Sequence, residues 1–272
     1  MELDRDSAGQ VLAAPGTGAW RDPLRWLFVP WTVLVFFPFL LVTTVLWGCL
    51  AAALSLFSQR TAFHCGTVWA KGLAWVSFVR VRVAGRESAR PGQSYVIMTN
   101  HQGDYDVVAL YGYLHLQFRW VIKQELRKVP VLGWACEKIG HIFIDRSHSR
   151  RAIASLEAAK PRLAGGVSVL FFPEGTRSPD GRLGPFKKGG FAMARQLDLP
   201  ILPVSLAGSW TILPKGCLFP RPGTIHLRFH PPVAPADHPG DEALMAAVRA
   251  AISAGSDSTQ RVESPKGGPN AP

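Results

Sequence analysis

The chain has 272 residues, a formal net charge of +11 and 47% hydrophobic residues. That length accommodates one well-buried domain plus an appendage. A soluble nucleic-acid binder matches the charge but not the apolar content, so the expected partner is an anionic membrane surface, and no nucleic-acid partner is expected. Cys49, Cys65, Cys136 and Cys217 are scattered without a C-x-x-C pair, which indicates neither a disulfide framework nor a metal knuckle.

Residues 1–22 are polar and are expected to be mobile. Residues 26–59 then carry no charged side chain, and as a continuous helix they would extend about 51 Å, well beyond the ~30 Å hydrocarbon core. Arg21 and Arg25 precede this run, while Arg60, Lys71, Arg80 and Arg82 follow it. Cations on both flanks argue against a single crossing and for a bent helix or hairpin that enters and leaves one cytoplasmic leaflet. Pro30 and Pro38 are available as kinks, and 61–78 suits an interfacial helix. Residues 23–78 are therefore read as a membrane anchor, one strongly tilted transmembrane helix being the alternative. A cleaved signal peptide does not fit so long and late an apolar run.

From residue 79 short β-like runs alternate with helical stretches. Strands are expected at 79–83, 95–98, 118–122, 141–144, 167–172, 201–204 and 224–229, and helices at 104–114, 131–139, 149–163, 189–197 and 241–252. The alternation predicts an α/β domain over 79–254, with a mixed, largely parallel sheet flanked by helices. The Ser-, Gly- and Pro-rich stretch 255–272 is expected to be a disordered tail.

Two motifs carry chemistry. In Asn100-His101-Gln102-Gly103-Asp104-Tyr105-Asp106 the apolar run ends at Asn100, so His101 falls on a tight turn, with Gly103 permitting unusual dihedrals. Asp104 is a suitable N-cap for the next helix, and Asp106 in its first turn can point back at the imidazole. A carboxylate on one ring nitrogen fixes the tautomer and makes the other a base. The second motif, Phe172-Pro173-Glu174-Gly175-Thr176-Arg177, supplies an acid and a guanidinium suited to an oxyanion. Both motifs, and Asp145-Arg146, follow an expected strand, and ligands in open α/β sheets bind outside the carboxyl ends of the strands.

Four ordered blocks resemble the glycerolipid acyltransferase family that contains the 1-acylglycerol-3-phosphate acyltransferases. They are Asn100 to Asp106, Gly140-His141-Ile142-Phe143-Ile144-Asp145-Arg146, Phe172 to Ser178, and Ile201-Leu202-Pro203-Val204, within roughly residues 80 to 230. Gly103 stands where many members of that family carry Ser. The resemblance implies acyl transfer from acyl-CoA or acyl-carrier protein to lysophosphatidic acid; the cationic flanks place it at the cytoplasmic face of a membrane, and the Ala, Arg, Gly and Pro content points to a bacterial inner membrane. It implies His101 as base and Asp106 as its orienting group. It also implies Arg146, Glu174, Gly175, Thr176 and Arg177 around the phosphorylated acceptor, and Lys123 at the thioester carbonyl. Neither a metal nor a cofactor is expected, since the histidines lack ligand spacing. Oligomeric state is left open. Another lysolipid acceptor such as a lyso-ornithine lipid, a lipid hydrolase, and a non-catalytic lipid-binding adaptor are the competing readings.

Overall fold

The computed structural model describes residues 23–145, 155, 158, 160–163 and 165–263. Residues 1–22, Arg146, most of the expected helix at 149–163 and the last nine residues of the expected tail, 264–272, lie outside them.

Seven strands form one sheet: β1 (Val79–Ala84), β2 (Val96–Thr99), β3 (Gln117–Lys123), β4 (Ile142–Ile144), β5 (Val167–Phe171), β6 (Ile201–Ala207) and β7 (Gly223–Phe229). Their spatial order is β1-β7-β6-β2-β5-β3-β4. From β6 to β4 every neighbouring pair is parallel, while β7 runs antiparallel to β6 and parallel to β1. This is the mixed, largely parallel sheet that the alternation predicts. The central strands β2, β5 and β6 are buried throughout, which is why they read as unbroken apolar runs.

Successive residues of a strand face opposite sides, and β2 divides accordingly. Ile97 packs into a core shared with α3 (Gln59–Val76) and α4 (Tyr105–Tyr113). Val96 and Met98 pack into a second core with α6 (Gly189–Leu197) and α8 (Gly240–Glu263). Each fully buried aliphatic or aromatic side chain in these cores contributes about 1.5–3 kcal/mol.

The N-terminal run folds as α1 (Pro23–Leu27), a turn at Phe28, and α2, one helix over Val29–Leu54 that is long and apolar enough to cross a membrane. Within α2, residues Thr32–Phe36 widen to π-helical turns, and the Phe37 N–H bonds back to Thr32 O. Pro38 has no N–H to offer Leu34, and the wider turn absorbs the missing bond.

The segment expected as an interfacial helix, 61–78, buries one face against the sheet's helical layer and leaves Val68 and Trp75 exposed on the other. The α3 side chains Phe63, Ala70, Leu73 and Ala74 are buried, and Phe63 stacks on Tyr111 at 4.7 Å. The expected boundary at residue 78 therefore cuts through one continuous core. α2 lies along that layer, with Trp69 Nε1 donating to Thr44 Oγ1 at 3.1 Å and Gly48 against Val131 and Ala135 of the α5 region (Leu132–Ile139). Its outer face leaves Leu34, Leu41, Val42 and Leu46 exposed.

Arg25, expected as a flanking cation, is buried. Its guanidinium donates to Thr211 O and Ile212 O, both at 3.0 Å, to Cys217 Sγ at 3.3 Å, and to Phe219 O. It therefore ties α1 to the chain after β6.

α8 runs to Glu263, past its expected end at 252 and into the stretch expected to be disordered. Gly255 and Ser256 are both buried, and a Cβ at Gly255 would stand 1.9 Å from Ser205 Oγ. Small residues there allow close packing of the helix over β6, where composition alone suggests a flexible tail.

His141, the histidine of the second family block, is a core residue. Its Nδ1 accepts the Trp120 N–H at 3.2 Å, so Nε2 carries the proton toward Tyr111 Oη, also at 3.2 Å. Burial, with the Arg119 charge adding to it, pushes its pKa down to about 3. The folded value lies below the unfolded one, so this histidine's contribution to stability is complete above about pH 6.5 and is lost toward about pH 3. Within that window the stability of the wild type relative to His141→Asn should fall by about 1.4 kcal/mol per pH unit, read by urea denaturation in detergent. A pH-independent difference between the two proteins contradicts this assignment.

Candidate active site

β2 and β5 are parallel neighbours with Met98 opposite Phe171. His101 and Glu174, each three residues further on, therefore leave the sheet at the same height. The Asn100 side chain fixes the turn against β6, donating to Leu206 O at 2.8 Å and accepting from Leu206 N at 2.7 Å. His101 is held at both backbone groups: its N–H donates to Glu174 Oε1 and its carbonyl accepts from Ser178 N, each at 2.7 Å. The Phe172 ring stacks on the imidazole, with centroids 3.7 Å apart and planes 8° from parallel.

The Asp106 side chain is fully buried and that of His101 is 16% exposed. His101 Nδ1–H donates to Asp106 Oδ2 at 2.7 Å, and the same oxygen accepts from Gln102 N at 2.6 Å and Gly103 N at 2.9 Å. Oδ1 accepts the hydroxyl of Ser209, which opens the short helix α7 (Ser209–Ile212). With Nδ1 protonated, Nε2 carries the lone pair and has no protein hydrogen bond among the described residues. An oriented imidazole of this kind can take a proton from a hydroxyl placed at Nε2.

Two local expectations are corrected. Asp104 occupies the N-cap position but makes no side-chain cap bond; its carboxylate pairs with Arg177. Asp106 takes the turn's amides instead, so one carboxylate both braces the turn and orients the histidine. Gly103 does not adopt a positive φ. Glycine is needed there for space, since a Cβ would lie 2.5 Å from Leu213 O.

Glu174, expected to meet the acceptor, is buried with both oxygens engaged: Oε1 by the His101 N–H and Oε2 by the Gly184 N–H at 2.7 Å. Desolvation raises its pKa above the ordinary carboxylate range, and the two amides offset only part of that. It clamps the His101 turn to the loop at Gly184. Gly175 has φ +74°, and a Cβ there would press on Lys187. Thr176 is exposed and Arg177 half-buried at the rim. Lys123, also exposed, ends β3, two strands from β2 and roughly 10 Å across the sheet at the usual strand spacing. Asp145 follows β4 on the same edge, and Arg146 lies outside the described residues.

The positioning roles of Asn100, Phe172 and Ser209 are absent from the sequence reading. Asn100 and Phe172 adjoin motif residues, and that adjacency is the signal that could have found them. For Ser209, 103 residues from Asp106, no local signal exists.

The His101–Asp106 pair lies at the carboxyl edge of the sheet, within residues 80–207, which match the family model described as Acyltransferase. The 1-acyl-sn-glycerol-3-phosphate acyltransferase of Chlamydomonas reinhardtii is 32% identical over 227 residues, covering 81% of this chain and 67% of that one. The protein of the same name from Pseudomonas aeruginosa is 34% identical over 206 residues, covering 72% and 78%. Among solved structures, the 1-acyl-sn-glycerophosphate (LPA) acyltransferase PlsC from Thermotoga maritima superposes with a TM-score of 0.75 at 27% identity, over 89% of this chain and 99% of that one. The chain belongs to the 1-acyl-sn-glycerol-3-phosphate acyltransferase family.

Glu174→Gln turns one amide donor of the new side chain against a backbone N–H. It should lower unfolding stability by about 1–3 kcal/mol and reduce kcat, with the acceptor KM nearly unchanged. A raised acceptor KM at unaltered melting temperature would instead return Glu174 to the substrate.

Proposed function

We propose that this protein transfers a fatty acyl group from acyl-CoA or acyl-carrier protein to the sn-2 hydroxyl of 1-acylglycerol-3-phosphate, giving phosphatidic acid. The observation that carries the reading is the His101–Asp106 pair, with Nδ1 anchored and Nε2 open. His101 removes the hydroxyl proton as the oxygen attacks the thioester carbonyl, and Asp106 stabilises the imidazolium. The tetrahedral intermediate collapses with cleavage of the C–S bond, and the departing thiolate takes the proton back from Nε2. No acyl-enzyme is required, because the chain has no G-x-S-x-G elbow. Arg177 and Lys187 line the rim beside Gly175, where a phosphate would meet two cations. Arg146 and Thr176 belong to the same acceptor side in this reading, and Lys123 to the donor carbonyl.

The chain lies on the cytoplasmic leaflet in this reading rather than across the bilayer. α2 has 26 residues, about 39 Å at 1.5 Å per residue, and is long enough to cross. It is, however, packed along one side by α3 and the α5 region, and a crossing would drag those elements into hydrocarbon. Lying in one leaflet, it offers its exposed Leu and Val side chains to acyl chains and keeps the site at the surface where lysolipid arrives.

His101→Ala should lower kcat by about 10²–10⁴-fold with the fold retained, as read by circular dichroism. Arg177→Ala should raise KM for the phosphorylated acceptor far more than for the donor. Near-normal turnover in the first variant removes the base assignment, and a selective loss of donor affinity in the second reverses the site's orientation.

Cysteines at Ser7 and Ser88, in a chain freed of Cys49, Cys65, Cys136 and Cys217, report the topology. Both should resist a membrane-impermeant thiol reagent in cells whose outer membrane is open, and react once the inner membrane is permeabilised. Labelling at position 7 alone before that step means a crossing helix.

A further inference from the structure

We propose that Ser209 is a positioning residue for the reaction, acting through Asp106. The proposal rests on reading His101 as the general base. Ser209 is completely buried, and its hydroxyl donates to Asp106 Oδ1, the carboxylate oxygen that does not hold the histidine. The other oxygen, Oδ2, serves the His101 ring and the Gln102 and Gly103 amides. The carboxylate is therefore gripped at both ends. Its plane, and with it the direction in which it holds the imidazole, depends on a hydroxyl delivered from the corner that follows β6.

The surrounding backbone fixes where that hydroxyl sits. Gly208 has φ +95°, and a Cβ on it would lie 2.3 Å from Thr224 O, so the chain turns sharply from β6 into α7 at a point where only glycine fits. The far end of α7 abuts the catalytic turn: Leu213 O accepts the Asp104 N–H at 3.2 Å in the space left by Gly103. From behind, Arg25 donates to the carbonyls of Thr211 and Ile212. Ser209 is thus held by β6, by the catalytic turn and by the anchor's first helix at once. Removing its hydroxyl leaves a buried carboxylate oxygen without its donor, free to rotate away from the geometry that aims Nε2.

The test uses Ser209→Ala, Ser209→Thr and Ser209→Val in the full chain in detergent, with His101→Ala alongside. Turnover with 1-acylglycerol-3-phosphate and acyl-CoA is measured together with the proton signal of the His101 Nδ1–H in protein labelled with ¹⁵N-histidine, His101→Ala identifying that signal. Hydrogen bonds to charged groups are worth enough that Ser209→Ala should lower kcat about tenfold or more, with both KM values within about twofold. Ser209→Thr should keep the signal and recover most of the rate. Ser209→Val, equal to Thr in shape but without the hydroxyl, should resemble the alanine variant in both rate and signal. Equal rates and signals for Thr and Val, or wild-type values for Ala, overturn the proposal. Turnover persisting in His101→Ala would remove the base reading, while the effect of each Ser209 variant on the Nδ1–H signal still decides whether the hydroxyl orients the pair.

Discussion

A carboxylate sealed from water must be satisfied by donors, and Asp106 organises the site through that requirement. Its two oxygens take a ring N–H, two backbone amides and a hydroxyl. Each donor fixes a different piece of chain: the histidine, the turn that carries it, and the strand-to-helix corner after β6. Glu174 repeats the device one strand away, holding His101 N and Gly184 N. The loop bearing His101 is therefore held by two buried acids, and Phe172 stacks on its imidazole. This is preorganisation, in which the ring's orientation is set by folding before any substrate arrives.

The membrane segment enters the same network. α2 meets α3 at Thr44 and the α5 region at Gly48, and Arg25 of α1 reaches the carbonyls of α7, whose first residue supports Asp106. α2 shares one hydrophobic core with α3, α4 and the strands beneath the site, so in the proposed reading the position of α2 at a lipid surface also sets that of the site. A tether joined by a mobile linker would leave the mouth of the site free to wander from the surface where its acceptor diffuses.

What the sequence makes legible divides along a physical line. Strands β2, β5 and β6 are readable because buried strands are continuous apolar runs between turn residues, and β1 and β7 because their apolar residues alternate with polar ones. The dyad is readable because His101 and Asp106 are five residues apart and need only a turn to meet. Features that depend on distant partners are not. The hold of Glu174 on the His101 turn depends on Gly184, ten residues on, and Arg25 looks like a surface cation until residues 211–219 close over it. Gly255 and Ser256 look like tail composition until Ser205 is found beneath them. At Gly103 the residue type is legible but its reason is not: it provides clearance for Leu213 rather than a left-handed turn.

The most direct measurement is the product balance of the purified full chain in mixed micelles of 1-acylglycerol-3-phosphate and acyl-CoA, followed by mass spectrometry and thiol release. The account predicts one phosphatidic acid for each thiol freed, with faster acylation of 1-acylglycerol-3-phosphate than of a lyso-ornithine lipid or a lysophospholipid whose phosphate bears a headgroup. Thiol release accompanied by free fatty acid, or faster acylation of either competing acceptor, would contradict it.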